Sequence, residues 1–181
     1  YMLAALGLGL AYRSAPLIAA GFLLLVAHAA AKGLAFMCKG IFHYYCGATH
    51  IEDLAGMASR APLVAGGFAV AIAALCGLPP LAGFTAKYYA LIGFFRLGGA
   101  IPALVAGFFL SNSLLSLAYY LPLLGQVLRP DETLVRIRPS LWMQLPIAAL
   151  GVSLLALGLA PDAVLSLAER AAQFLLRWGT L

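Results

Sequence analysis

The sequence predicts an all-α, multi-pass transmembrane helix bundle with one discontinuous helix. Three observations lead there. Hydrophobic residues make up 64% of the 181 residues and charged residues only 9%, with a mean hydropathy of +1.01. A soluble domain is about half apolar and a quarter charged. The apolar residues fall in continuous runs of membrane-spanning length, not in the short alternating segments of a β-barrel. One run carries a Gly/Pro cluster that no continuous helix accommodates. A soluble globular enzyme, a disordered chain and a disulfide scaffold are thereby excluded.

Residues 1–11 are apolar and stop at Arg13. No charged segment precedes them, so they do not read as a signal peptide. They look like the tail of a helix whose beginning is missing, and the chain is expected to be a fragment or one piece of a split protein. Further runs cover 16–45, 62–97, 100–128 and 141–160. The segment 162–178 differs in kind, mixing Asp162, Glu169, Arg170 and Arg177 with Val164, Leu165, Phe174, Leu175 and Trp178. It reads either as an amphipathic interfacial helix starting after Pro161 or as an ordinary packing helix. Two units are therefore expected: a transmembrane domain over 1–161 and an amphipathic tail over 162–181.

The polar connectors are 12–15, 46–61, 96–99 and 129–140. Counted on alternate sides, one side holds Arg60, Arg129, Arg136 and Arg138, and the other Arg13 and Arg96. That favours the first side as cytoplasmic. Adding Arg170 and Arg177 of the tail erases the difference. The eleven bases against six acids give a net charge of +5. They form no basic stripe interleaved with aromatics, so nucleic acid is not an expected partner. Cys38, Cys46 and Cys76 show no metal or redox spacing and read as buried thiols.

The run 62–97 is the most informative. As one helix its 36 residues would span roughly 54 Å against a hydrocarbon core of about 30 Å. It contains GLPPLAGF at 77–84. Pro79 and Pro80 lack amide donors, and Gly77 and Gly83 permit unusual backbone angles. The helix must break there. In a membrane, broken backbone is tolerated only inside protein or beside a water-filled cavity, and such breaks mark transporter sites. A simple proline kink is the bland alternative.

Lys87 lies just past the break, far from either connector. An intramembrane lysine costs about 2.5–3.5 kcal/mol on insertion scales. It persists where a partner, water or function offsets that cost, or where it snorkels to an interface. Coincidence with the break favours function. Upstream, His28, Lys32, Lys39 and His43 fall within about 60° of one another at 100° per residue, on one narrow helical face. Such a ladder suits proton relay, histidine especially. Lys39 and His43 are also close enough to the end of their run to approach the headgroups. No carboxylate lies in any apolar run, and no metal set or hydrolase triad is available. Ser111, Asn112, Ser113, Tyr119 and Tyr120 could bond across helices or line a wet path, helix packing being the blander reading.

The stretches HAAAKGLAFMCKGIFHYYCGATHIEDLAGMASRAP and GLPPLAGFTAK, supported by SLLSLAYYLPLL and the span from Pro146 to Pro161, resemble the antiporter-like membrane subunit family. Its members serve respiratory complex I, Mrp sodium/proton antiporters, membrane-bound hydrogenases and formate hydrogenlyases. The resemblance implies a fold of about fourteen helices with two inverted repeats, each carrying one broken helix. This chain would be the C-terminal portion, with 62–97 as the second repeat's broken helix. Lys87 matches the ionisable residue beside that break, and His28 and Lys32 match the relay of the preceding helix. His43 falls where the family often has histidine, and Lys39 departs from the usual small residue. The first repeat, with its glutamate–lysine pair, has no counterpart here. The resemblance places 46–61 and 129–140 on the cytoplasmic side.

The implied function is proton or proton/sodium translocation within a larger complex in a bacterial or archaeal inner membrane, with other membrane subunits, lipid and protons, or sodium, as partners. No catalytic redox site and no cofactor are expected in the chain; flavin, iron–sulfur centres and quinone belong to partner subunits. Two alternatives stand beside it. One is a structural subunit that conducts nothing. The other is a small-anion transporter using the half-helix N-terminus at 84–87.

Overall fold

A computed structural model describes residues 2–130 and 135–178. The acids Asp131 and Glu132 of the last connector lie outside the described residues. The helices are α1 (Met2–Ala11), α2 (Ala15–Cys46), α3 (Met57–Arg60), α4 (Pro62–Cys76), α5 (Ala82–Leu97), α6 (Ala100–Leu128), α7 (Leu141–Leu159) and α8 (Asp162–Trp178), with a 3-10 turn at Glu52–Leu54. Three of them, α2, α6 and α7, are each long and apolar enough to cross a membrane. The helices α4 and α5 rise only about 22 and 24 Å at 1.5 Å per residue, each short of the core. They form the interrupted span.

The long helix α2 is the axis of the bundle. It starts with Pro16 in its first turn, where the missing N–H costs nothing, and ends at Gly47, whose φ of +66° closes it through an N–H to His43 O. Leu17, Ile18, Ala19, Ala20 and Gly21 are all buried, because α1, α4, α5, α7 and α8 pack around this helix. A helix buried all round must be apolar all round, as this stretch is. Edge-to-face pairs Phe42–Phe68 and Phe94–Phe109 fill the interior. The outer helices reverse the pattern. The helix α7 buries Ile147 and Leu154 and exposes Trp142, Leu145 and Val152, the surface expected of a lipid-facing helix.

The connectors meet at opposite ends. Ile137 N–H donates to Arg60 O at 2.9 Å, so 46–61 and 129–140 lie at the same end. At the other end Arg13, which adopts φ +52° in the turn between α1 and α2, donates from its guanidinium to Leu176 O at 2.9 Å. That bond reaches a carbonyl in the last turn of α8, where a cation is favoured by the helix dipole. The tail helix α8 packs along α2, burying Ala168 and Ala172 and exposing Leu167 and Phe174. It is both amphipathic and a packing helix.

Candidate functional site

The break follows directly from GLPPLAGF. Gly77 takes φ +80°, the left-handed conformation that glycine adopts at no steric cost. Its N–H donates to Ala74 O, and Leu78 N–H reaches back to Ala73 O at 2.9 Å. This is a Schellman close of α4. Pro79 and Pro80 then offer no N–H, and the chain re-enters helix at Ala82. The carbonyls of Leu75 and Cys76, at the end of α4, are left without backbone donors by this geometry. Lys87, in the second turn of α5, supplies them. Its Nζ donates to Leu75 O at 3.2 Å and to Cys76 O at 3.0 Å. The lysine therefore sits on the negative end of the half-helix dipole.

Gly83 is what lets the two halves close this tightly. A Cβ placed there would overlap the Ala74 carbonyl oxygen. The N-terminus of α5 is thus packed directly against the end of α4 at this point. A third helix braces the break. Thr85 Oγ1 donates to Gly158 O at 2.9 Å, and a Cβ on Gly158 would overlap the Pro80 carbonyl oxygen.

The histidine of the α2 face reaches this site and the rest of that face does not. His28 and Lys87 line one cavity of about 20 Å³, walled by Leu24, Ala27, Ala31 and Leu75. That is room for a single water. Lys32, one turn on, turns away. Its Nζ donates to Tyr120 OH of α6 at 3.1 Å and lies 5.7 Å from the Tyr120 ring centroid and 6.0 Å from that of Phe36. These aromatic faces attract the ammonium. Lys32 and Lys39 line a second cavity of about 240 Å³ with Tyr120. Lys39 Nζ donates to Ala48 O, and His43 Nδ1 lies 3.2 Å from the same carbonyl. A carbonyl has two lone pairs and can serve both. The ladder on α2 thus divides into one group at the break and one at the connector.

Sequence reasoning named Tyr120 only as a residue able to bond across helices, without its partner. It missed Thr85, Gly158, Leu75 and Ala48 altogether. Three of these four act through a backbone carbonyl, for which residue type carries no signal.

A family profile described as "NADH:quinone oxidoreductase/Mrp antiporter, TM" matches residues 1–116. The chain belongs to this family. Among antiporter-family relatives, it is 45% identical over 116 residues to NADH-quinone oxidoreductase subunit 14 of Thermus thermophilus, which takes in 64% of this chain and 26% of that protein. NADH-quinone oxidoreductase subunit N of Desulforudis audaxviator is 28% identical over 94% of this chain and 36% of its own length. Of solved structures, the respiratory complex I of Thermus thermophilus with bound aureothin superposes with a TM-score of 0.63 at 36% identity, covering 86% of this chain and 36% of that one. The Mrp complex of a Dietzia species superposes at 0.76 with 24% identity, over 88% of this chain and 38% of that one, a likeness of fold. This chain therefore spans 26 to 38% of the length of these antiporter-family relatives. It is an integral membrane protein built as a discontinuous-helix bundle.

Proposed function

We propose that this chain forms the C-terminal part of a proton-translocating membrane subunit in an inner-membrane complex of the NADH-quinone oxidoreductase type. Residues 1–161 carry the transmembrane machinery and the following helix braces it. Lys87 is the exit-side proton carrier. His28 and Lys32 relay toward the centre, and Lys39 and His43 extend the path toward the 46–61 connector. Other membrane subunits are its partners. Identity of 45% to an NADH-quinone oxidoreductase subunit, against 24% to the Mrp structure, favours this complex over the antiporter.

One observation carries the reading: the placement of the Lys87 amine on Leu75 O and Cys76 O beside a one-water cavity shared with His28. An ammonium has three N–H donors. Two are taken by the carbonyls, and the third is available to the cavity. A neutral amine keeps two N–H groups and gains a lone pair. The carbonyl bonds can therefore persist in both states while the third position takes up or gives away the proton. A water in the cavity would bridge to His28, whose ring has one nitrogen to donate and one to accept.

The test is Lys87→Met in the assembled complex, with electron transfer and dye-reported proton pumping measured together in membrane vesicles. The expected result is a complex that assembles and pumps fewer protons per electron. Normal assembly with an unchanged ratio would overturn the proposal.

A further inference from the structure

Three cavities lie around the break, and each neighbouring pair shares one lining residue. The first, about 240 Å³, holds Lys32, Lys39 and Tyr120. The second, about 20 Å³, holds His28 and Lys87. The third, about 210 Å³, holds Cys76, Lys87, Tyr88 and Ser113. Lys87 lines both the second and the third. Leu75 lines both the first and the second. A titratable residue is thus common to one pair of cavities and an apolar one to the other.

We infer that Leu75 is a gate residue: its side chain keeps the Lys32–Lys39 cavity and the His28–Lys87 cavity from joining through water. The inference rests on Lys87 being the proton carrier. Leu75 is buried, with 7% of its surface exposed. An apolar constriction on a proton path gates by excluding water. Protons cross such a barrier only when water bridges it. Lys32 therefore communicates with His28 only when Leu75 moves aside.

The backbone of Leu75 makes the gate responsive. It sits at the second-last position of α4 (Pro62–Cys76), where the carbonyl has no helical N–H to accept from. Its carbonyl accepts from the Lys87 amine at 3.2 Å. The carrier therefore grips the gate directly. With Lys87 on both carbonyls, the α4 terminus is pinned and the gate closed. Because either protonation state can hold these carbonyls, the gate opens only while the amine swings off Leu75 O toward the third cavity, which it also lines. Opening on one side of Lys87 is thereby linked to departure on the other, which is what prevents a continuous leak.

The experiment uses the assembled complex in proteoliposomes carrying Leu75→Ala, Leu75→Val or, as a control on the outer face of α4, Leu63→Ala. Passive proton inflow under an imposed pH gradient and protons pumped per electron are both read. Leu75→Ala should raise passive inflow about tenfold, the change that about 1.4 kcal/mol off a barrier produces, and lower the pumping ratio. Leu75→Val should do the same to a smaller extent, and it gives the reading if the alanine variant fails to assemble. Adding Lys87→Met to either variant should abolish the extra inflow, which a loosened protein–lipid seal would not do. Vesicles as tight as wild type with either Leu75 variant would overturn the gate. If Lys87→Met alone stops pumping while the Leu75 variants stay tight, only the gate fails. If Lys87→Met pumps normally, the underlying function fails.

Discussion

Replacing Gly83 by alanine should damage the site through the backbone alone. The added methyl would overlap the Ala74 carbonyl oxygen and stand 2.8 Å from its carbon. Neither is a flexible side-chain tip, so the half-helices must separate. An ordinary contact between carbon atoms is 3.5–4.0 Å, which requires a movement of about 1 Å. Lys87 bridges the same two half-helices at 3.0 and 3.2 Å. A separation of that size along those bonds carries them to about 4 Å, beyond hydrogen-bonding range. Overpacking costs about 1–3 kcal/mol, and each hydrogen bond from a charged donor is worth about 1.5–3 kcal/mol. The combined loss is about 4 kcal/mol or more. Gly66→Ala, on the same interrupted span, is the matched control, because nothing lies within 4 Å of its added methyl. Alanine is favoured over glycine in a helix by about 1 kcal/mol, so the control should be neutral or slightly stabilising. The assay is thermal dissociation of the purified complex, followed with proton pumping at a permissive temperature. A Gly83→Ala complex that melts and pumps like wild type would refute the close apposition of the two half-helices.

Two further outcomes are expected. Tyr120→Phe removes the hydroxyl that accepts from Lys32 while keeping the ring beneath the ammonium, so pumping should slow; Tyr120→Leu, which removes the ring too, should slow it more, and equal rates in all three forms would exclude a positioning role. In the connector, the Asp53 carboxylate accepts from His50 N–H and Thr49 N–H, both at 2.7 Å, and these bonds, His50 first, hold its pKa below the usual carboxylate value. A depressed folded pKa contributes stability that is present above the unfolded value and lost as pH falls through the folded one. Amide-exchange protection at Thr49 and His50 should therefore be flat near neutrality and fall only in acid, and Asp53→Asn should remove it at pH 7; protection unaffected by that change would contradict the assignment.

Much of the fold was legible because the sequence signals are chemical absences. Pro79 and Pro80 cannot donate, so the break had to fall where the structure places it. Gly77 marks the end of α4 because it takes a left-handed φ. The intramembrane position of Lys87 was legible from hydropathy alone. Its partners were not, because they are carbonyls of Leu75 and Cys76, and every residue has a carbonyl. The common face of His28, Lys32, Lys39 and His43 was legible from 3.6-residue periodicity. Its division into two groups was not, since it depends on Tyr120 standing 88 residues away. The tail was legible as amphipathic, whereas its seat against α2 depends on Arg13 reaching Leu176 from a distant turn. Pro122 and Pro146 are the counter-case, lying within α6 and α7 without ending either helix. Neither has a second proline beside it.

Lys87→Arg in the assembled complex tests the proton-carrier role most directly. Arginine keeps a positive charge and hydrogen-bond donors for the Leu75 and Cys76 carbonyls, but it does not release a proton in a protein. The substitution separates the cap from the carrier. The expected result is a complex that assembles, transfers electrons and shows reduced proton pumping per electron. A Lys87→Arg complex that pumps at the wild-type ratio would mean that Lys87 only closes the end of a half-helix, and that protons cross elsewhere.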